Sequence, residues 1–303
     1  MVSNQDELTQ WVLRVMEQTP NARLREIMIA LVTHLHGFVR DAKLTEEEFR
    51  SATALIAKLG QQTNDSHNEV VLMAGSLGVS SLVCLMNNTG APASDSALST
   101  QNLLGPFWRM NSPATENGAS IVRSPTPGAA LLVEAVIKDA NGAPVQGALV
   151  DIWHCAPDGL YENQLEARAK GQTDMNLRGQ FTTDAQGEFR FWSVMPVGYP
   201  IPVDGVVGQL LLAQKRHPMR PAHVHALAYK EGYKTLISQV YVGDDENLAT
   251  DAQFGVTEAV TGQYIKHSVA PASRPQLQGD WFSLNFSFLM QAGEAKLPKP
   301  PIK

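Results

Sequence analysis

The stretch Arg-His-Pro-Met-Arg-Pro-Ala-His-Val-His at residues 216–225 limits the local fold more than any other part of the chain. Its two prolines cannot lie inside a helix, and each favours extended geometry at the residue before it. The run 223–229 that follows is mostly apolar and contains neither Gly nor Pro, so it predicts a strand. Side chains alternate along a strand, so His223 and His225 lie on one face, where both imidazoles can reach one metal ion. The same spacing also occurs in strands whose histidines only form hydrogen bonds, so the rest of the chain must decide.

Composition excludes several classes of partner. The 303 residues are 44% hydrophobic and 18% charged, as in an ordinary globular protein, and the net charge of -6 gives no electrostatic reason to bind nucleic acid or an anionic membrane. No apolar run approaches the roughly 20 residues that span a bilayer. Cys84 and Cys155 lie far apart, and the N-terminus lacks the pattern of a signal peptide. We therefore expect a cytoplasmic protein with no nucleic-acid or membrane partner.

Hydrophobic periodicity divides the chain into two parts. Residues 5–88 show the apolar spacings of three and four that are typical of amphipathic helices, and glycines interrupt the last of these helices. The polar stretch 87–100 predicts a linker. Beyond it, short apolar runs alternate with turn residues, at 131–137, 148–153, 188–191, 222–229, 236–242 and 281–288. The pattern predicts an all-helical N-terminal domain over residues 1–95 and a mainly β domain, an antiparallel β-sandwich, over residues 96–303.

Two tyrosines lie in marked loops. Tyr161 follows the turn Ala-Pro-Asp-Gly, and Tyr199 lies in the rigid sequence Pro-Val-Gly-Tyr-Pro-Ile-Pro. Tyr199 is part of a segment from about 193 to 221, rich in Pro and Gly, that predicts a long functional connection. Each tyrosine alone is equally compatible with a ring packed under a loop.

Taken together, these motifs resemble the intradiol ring-cleaving dioxygenases, the catechol and hydroxyquinol 1,2-dioxygenase group. The resemblance covers nearly the whole chain. It is carried by Leu-Gly-Pro-Phe at 104–107, Gly-Ala-Leu-Val-Asp-Ile-Trp at 147–153, Asp-Gly-Leu-Tyr at 158–161, Arg-Gly-Gln-Phe-Thr-Thr-Asp at 178–184 and Arg-Pro-Ala-His-Val-His at 220–225. The resemblance implies one Fe(3+) per subunit, with Tyr161, Tyr199, His223 and His225 as its ligands.

The implied ligand set is chemically consistent. Phenolate oxygen is a hard anionic donor, and a bound cation drives deprotonation of a tyrosine whose free pKa is about 10. By the resemblance, the enzyme inserts both atoms of dioxygen into a catechol-type diol and yields a muconate-type diacid. Tyr199 then leaves the metal and accepts a proton from the diol. Arg220 stabilises negative charge on the substrate, and Gln239 lies near the same site.

The resemblance also implies a substrate pocket and an assembly. The pocket would be lined by Leu72, Gly75, Leu104, Pro106, Phe107, Ala252 and Gln253. Members that cleave hydroxyquinol commonly carry an acidic residue at the position of Gly75, although other segments look more like the hydroxyquinol branch. The expected substrate is therefore catechol, a substituted catechol or hydroxyquinol. In the family the N-terminal helices join two subunits into a homodimer and can hold a lipid.

Three other interpretations remain open at this point. His217 could join His223 and His225 in a zinc site of the hydrolytic kind. Glu231 could complete a ferrous site with the same two histidines. The strand-rich part could instead be a transthyretin-like binding module, although such a module has no need of the tyrosines and histidines together.

Overall fold

The structure is a computed structural model that describes residues 2–88 and 100–301. It contains two compact units, Met1–Lys58 and Leu59–Lys303. The predicted domain boundary between residues 95 and 96 lies outside the described residues and stays a prediction, as does most of the predicted linker.

Within the described residues, five helices precede the first strand: α1 (Gln5–Glu17), α2 (Ala22–Asp41), α3 (Glu46–Gln62), α4 (Glu69–Ser76) and α5 (Val79–Asn88). Asn4, Asn21 and Asn68 cap α1, α2 and α4, because each amide oxygen accepts a hydrogen bond from a backbone N–H of the first turn. The last predicted helix, which glycines interrupt, is in fact the pair α4 and α5. The two helices meet at a 74° bend, where Gly78 adopts a φ of +73° that other residues rarely tolerate. No single helix of the described residues is long and apolar enough to cross a membrane, and α4 and α5 reach that length only when counted together.

Two short α-helices and eleven strands follow in the part of the chain that the structure describes. They are β1 (Ala130–Asp139), β2 (Leu149–Trp153), α6 (Leu165–Ala169), β3 (Arg178–Thr182), β4 (Glu188–Val194), β5 (Tyr199–Pro200), α7 (Val206–Ala213), β6 (Met219–Arg220), β7 (His223–Tyr229), β8 (Leu236–Val242), β9 (Thr261–Gly262), β10 (Tyr264–His267) and β11 (Trp281–Met290). One sheet has the order β10-β11-β1-β4 and the other β3-β2-β7-β8-β9, while β5 and β6 form a small separate ribbon. The strands pair antiparallel except β1 with β11 and β8 with β9, which run parallel.

The predicted mainly β fold is confirmed, and it differs from the prediction in several details. The segment predicted as one long connection, 193–221, contains α7 and both strands of the small ribbon. Its apolar run, Val-Val-Gly-Gln-Leu-Leu-Leu-Ala, forms a helix whose first N–H groups bond the side chains of Gln62 and Glu69. Strands β3, β9 and β10 were not predicted. Strand β3 contains only one aromatic and one β-branched residue, and β9 and β10 are only two and four residues long.

Alternation along the strands fixes what each face carries. Val224, Ala226 and Ala228 of β7 belong to the core between the sheets, together with Phe189 and Phe191 of β4. The intervening residues of β7, including both histidines, therefore lie on the outer face of the five-stranded sheet. These outer-face residues are nevertheless buried, since loops cover them.

A buried ion pair holds one of these covering loops. Nε of Arg178, in β3, donates to Oε1 of Glu162 at 2.8 Å, and both side chains are almost fully buried. Arg109 donates to the same oxygen at 2.7 Å. Glu162 directly follows Tyr161, so the pair fixes the backbone that carries this tyrosine.

Replacement of Glu162 tests this assignment. Glu162→Gln leaves the charge of Arg178 buried without its counter-ion, which costs about 3–5 kcal/mol in the free energy of unfolding. Asp280→Asn is the control, because it removes the exposed Lys266–Asp280 ion pair, which contributes little. Denaturant titration of both variants measures the difference. Equal, small changes in the free energy of unfolding of the two variants would show that the buried ion pair does not stabilise the loop.

Candidate metal centre

Four side-chain donor atoms meet on the outer face of the five-stranded sheet. The Nε2 atoms of His223 and His225 lie 3.1 Å apart, and Nε2 of His225 lies 3.1 Å from the hydroxyl oxygen of Tyr161. That oxygen lies 3.2 Å from the hydroxyl oxygen of Tyr199, which in turn lies 3.4 Å from Nε2 of His223. The structure thus brings together all four residues that the sequence predicts as metal ligands.

Each of the four is delivered by a defined element. The histidines come from alternate positions of β7, and Tyr199 lies in β5 opposite Arg220 of β6. Tyr161 follows a turn closed by a hydrogen bond from the N–H of Gly159 to the carbonyl of Ala156, at 2.8 Å. Gly159 has a φ of +79°, and a Cβ there would lie 3.1 Å from Cβ of Tyr199. The turn therefore needs glycine to bring the two tyrosine loops together.

The surroundings hold all four groups in their neutral forms. Burial, with help from the charge of Arg220, lowers the pKa of His223 to about 3. Burial and the neighbouring His223 hold the pKa of His225 well below its usual value. Burial raises the pKa of Tyr161 well above 10, and it also raises that of Tyr199. Neutral imidazoles are the form that binds metals, whereas the phenols need a cation beside them to ionise.

The two histidines are oriented by different means. Nδ1 of His223 donates to the carbonyl oxygen of Pro221 at 2.8 Å, which directs the lone pair of Nε2 into the cluster. The ring of His225 stacks on Trp153, with centroids 4.6 Å apart and planes 8° apart, and its buried Nδ1 has no hydrogen-bond partner among the described residues.

These features pass a test of fit for a metal ion. Two imidazole lone pairs 3.1 Å apart in a dry site are tolerated when a proton or a cation lies between them. With bonds of about 2.1 Å, donors around a metal lie about 3.0 Å apart at a right angle and about 3.4 Å apart at a tetrahedral angle. The spacings of the four atoms fall in this range.

Arg220 lies beside the four donors and is almost fully buried. Its Nη2 donates to Oε1 of Gln239 at 2.9 Å and to the hydroxyl of Tyr241 at 2.6 Å, and its Nε donates to Oδ1 of Asp251 at 3.1 Å. Burial opposes the charge, but Tyr241 and Asp251 outweigh this effect and hold the pKa of Arg220 well above its usual value. Arg220 is therefore a permanent cation next to Tyr199, whose pKa its charge acts to lower.

The predicted pocket residues divide into two groups. Leu104 and Phe107 pack around the tyrosines, and the ring of Phe107 stacks on that of Tyr161 at 4.4 Å. Ala252 and Gln253 lie in the loop after Asp251, where the amide of Gln253 bonds Ser76 of α4 at 2.8 Å.

A Cβ on Gly75 would overlap Oε1 of Gln253, so these two predicted positions touch. Leu72 is half-buried on α4 and Pro106 is exposed.

Three functional neighbours were not predicted from the sequence. Tyr241 lies two residues after Gln239 on β8, so alternation along that strand could have placed both on one face with the histidines. Asp251 and the carbonyl of Pro221 carry no sequence signal of their own.

The alternative histidine sites are not supported. Within residues 2–88 and 100–301, no three His, Cys, Asp or Glu side chains form a group that could hold a metal ion. His217 and Glu231 therefore do not join the two histidines of β7.

Comparison with known proteins agrees with the fold and identifies the family. Residues 103–288 match the family described as "Dioxygenase", and residues 21–94 match "Catechol dioxygenase N terminus".

The chain is 37% identical to hydroxyquinol 1,2-dioxygenase of Rhizobium sp., over 92% of each chain. It is 34% identical to 6-chlorohydroxyquinol 1,2-dioxygenase of Cupriavidus pinatubonensis, over 88% of this chain and 93% of that protein. The solved structure of hydroxyquinol 1,2-dioxygenase from Pseudomonas putida is 32% identical, with a TM-score of 0.84, over 95% of this chain and 99% of that chain. The metal that the matched family suggests is non-haem iron. The chain belongs to the intradiol ring-cleavage dioxygenases.

Proposed function

We propose that this dioxygenase holds one Fe(3+) per subunit through Tyr161, Tyr199, His223 and His225, and that it cleaves hydroxyquinol or a closely related catechol with dioxygen. The observation that carries the proposal is the set of four buried, neutral donor atoms spaced 3.1 to 3.4 Å apart. Phenolate oxygens are hard, anionic ligands. A set of two phenolates and two imidazoles therefore suits a hard trivalent cation better than it suits the divalent metals that sites made only of nitrogen ligands bind.

The bound metal would supply a Lewis acid that acidifies the two diol hydroxyls and activates the ring towards dioxygen. The protein's own groups differ in what they can do. Tyr161 is wedged between the ring of Phe107 and Nε2 of His225, so it is suited to stay in place. Tyr199 lies beside Arg220, whose charge favours the ionised phenol, so its oxygen is suited to be the base that accepts a diol proton.

Arg220 would act on the substrate itself, and Gln239 would hold Arg220 in place. A guanidinium in a site without water stabilises negative charge that develops on a bound aromatic ring, and it needs no reorganisation to do so. Gln239 donates from Nε2 to the carbonyl oxygen of Leu103 at 2.5 Å and accepts from Arg220, so it connects this cation to the loop that begins the Leu-Gly-Pro-Phe motif.

Replacement of Tyr161 tests the ligand set. Tyr161→Phe keeps the ring that stacks on Phe107 but removes one donor, so we expect the purified variant to retain less than about a tenth of the iron of the parent chain, as for loss of one strong ligand. Tyr229→Phe is the matched control, because its hydroxyl bonds the exposed Glu231 and not the cluster. Iron quantification by atomic absorption measures both, and full iron content in Tyr161→Phe would contradict the assignment.

The loop after Asp251 supports a substrate with a third hydroxyl group. Gln253 places its amide oxygen where a side chain of residue 75 would begin. By the resemblance, hydroxyquinol-cleaving members commonly carry an acidic residue at this position. An amide oxygen can accept a hydrogen bond from a hydroxyl group as a carboxylate does. The relatives named for hydroxyquinol and 6-chlorohydroxyquinol support the same class of benzenetriol.

Comparison of two substrates tests this preference. We expect a higher kcat/KM for hydroxyquinol than for catechol, and we expect Gln253→Leu to reduce that ratio about 3- to 10-fold through loss of one neutral hydrogen bond. Gln278→Leu, at an exposed position, is the control and should leave the ratio unchanged. A ratio unaffected by Gln253→Leu would remove Gln253 from substrate selection.

The N-terminal unit supports a homodimer. The apolar residues of α2 that the sequence places on one face are about half exposed, namely Leu24, Ile27, Leu31, Leu35 and Phe38. A contiguous apolar surface of this kind is typical of an interaction site, and a second copy of the chain, with a lipid between the helices, would cover it.

A charge placed on this face tests the dimer. Leu31→Glu should shift the native mass from dimer to monomer at micromolar concentration, because an interface cannot bury an unpaired carboxylate. Thr33→Glu, exposed on another side of α2, should leave the mass unchanged. Size-exclusion chromatography with light scattering measures both masses, and a monomeric parent chain would refute the proposal. Mass spectrometry of organic extracts then shows whether a lipid co-purifies.

A further inference from the structure

One edge of the Arg220 guanidinium is clamped by acceptors. Besides Gln239 and Tyr241, the carboxylate of Asp251 takes both Nε, at 3.1 Å to Oδ1, and Nη2, at 3.3 Å to Oδ2. Asp251 is almost fully buried, so its charge faces the guanidinium with little screening by water. A two-point pairing of this kind fixes the plane of the guanidinium as well as its position.

The same carboxylate also fixes a piece of backbone. Oδ2 of Asp251 accepts from the N–H of Gly255 at 2.8 Å, and Oδ1 accepts from the N–H of Gln253 at 3.2 Å. A Cβ on Gly255 would overlap the hydroxyl of Tyr241, so glycine lets this loop close onto the clamp. Although burial alone would raise it, the pKa of Asp251 is lowered by Arg220 and by these two N–H groups.

We propose that Asp251, assisted by Tyr241, is a positioning residue that locks the Arg220 guanidinium to the loop 251–255, so that this cation and the Gln253 side chain form one rigid unit. The inference rests on the role proposed above for Arg220. Arg220 has four rotatable side-chain bonds, and a displacement of about 1 Å is enough to lose most of the benefit of a preorganised charge. Asp251 touches neither the four donor atoms nor the reacting groups, so it acts only through Arg220 and the loop.

The experiment uses the iron-loaded full chain with hydroxyquinol as substrate. Asp251→Asn keeps the shape of the side chain but replaces one acceptor oxygen with a donor. We expect kcat to fall about 10- to 100-fold, as for loss of a hydrogen-bonded charge pair, with KM changed less than about threefold. The visible absorption band of the iron before substrate addition should be unchanged, because the ligands are untouched. Asp280→Asn, which removes an exposed carboxylate, should keep the parent kcat.

A double variant separates positioning from a general structural defect. In Arg220→Lys the two-point pairing is already lost. The kcat of the double variant with Asp251→Asn should therefore be less than about twofold below that of Arg220→Lys alone. A structural defect would instead multiply the two losses.

Tyr241→Phe provides a second route if Asp251→Asn does not fold, since it removes the 2.6 Å contact to Nη2 without leaving a charge unpaired. It should lower kcat about 3- to 10-fold and likewise add nothing to Arg220→Lys.

The outcomes distinguish the two proposals. If Arg220→Lys turns over at the parent rate, the role of Arg220 is wrong, and the positioning inference is wrong with it. If Arg220→Lys is slow while Asp251→Asn and Tyr241→Phe are both as fast as the parent, only the inference is overturned. Multiplicative losses in the double variants also overturn it.

Discussion

Two histidine nitrogens and two tyrosine oxygens lie within 3.1 to 3.4 Å of their neighbours in a place that water hardly reaches. Burial keeps the imidazoles unprotonated and the phenols un-ionised, so the four donor atoms meet without a net charge. A cation among these atoms would bind the imidazoles and make phenolates of the tyrosines. The aromatic neighbours Phe107 and Trp153 then hold the rings in place and exclude water.

The alternation of side chains along the strands of the sandwich places the histidines of this site. Along β7 every second side chain enters the core between the sheets, and the others form one row on the outer face with residues of β2 and β8. His225 lies between Trp153 and Gln239 in that row, and His223 lies beside Tyr241. A shift of one residue in register would bury the histidines in the core and expose the valine and alanines. The packing of the core therefore fixes which face carries the chemistry of this intradiol dioxygenase.

Much of this arrangement follows from the sequence, and the exceptions have physical reasons. The strand β7 and the shared face of His223 and His225 follow from local spacing. Tyr161 and Tyr199 are 38 residues apart and show no spacing that joins them, so only resemblance to a family identifies them as partners. Asp251 could not be found either, because it meets Arg220 of the short strand β6 only through a tertiary contact. The helix in the Pro-rich segment was missed, since its short apolar run resembles a buried strand.

The central claim is that Tyr161 and Tyr199 ionise on a ferric ion that both histidines also bind. The visible absorption spectrum of the purified chain, with iron quantified in the same sample, tests it most directly. We expect one iron per chain and a broad tyrosinate-to-iron charge-transfer band, with a red-brown colour, that shifts when hydroxyquinol is added without oxygen. A chain that stays colourless after loading with ferric iron, or that binds the metal without this band, would contradict ligation by the two tyrosines.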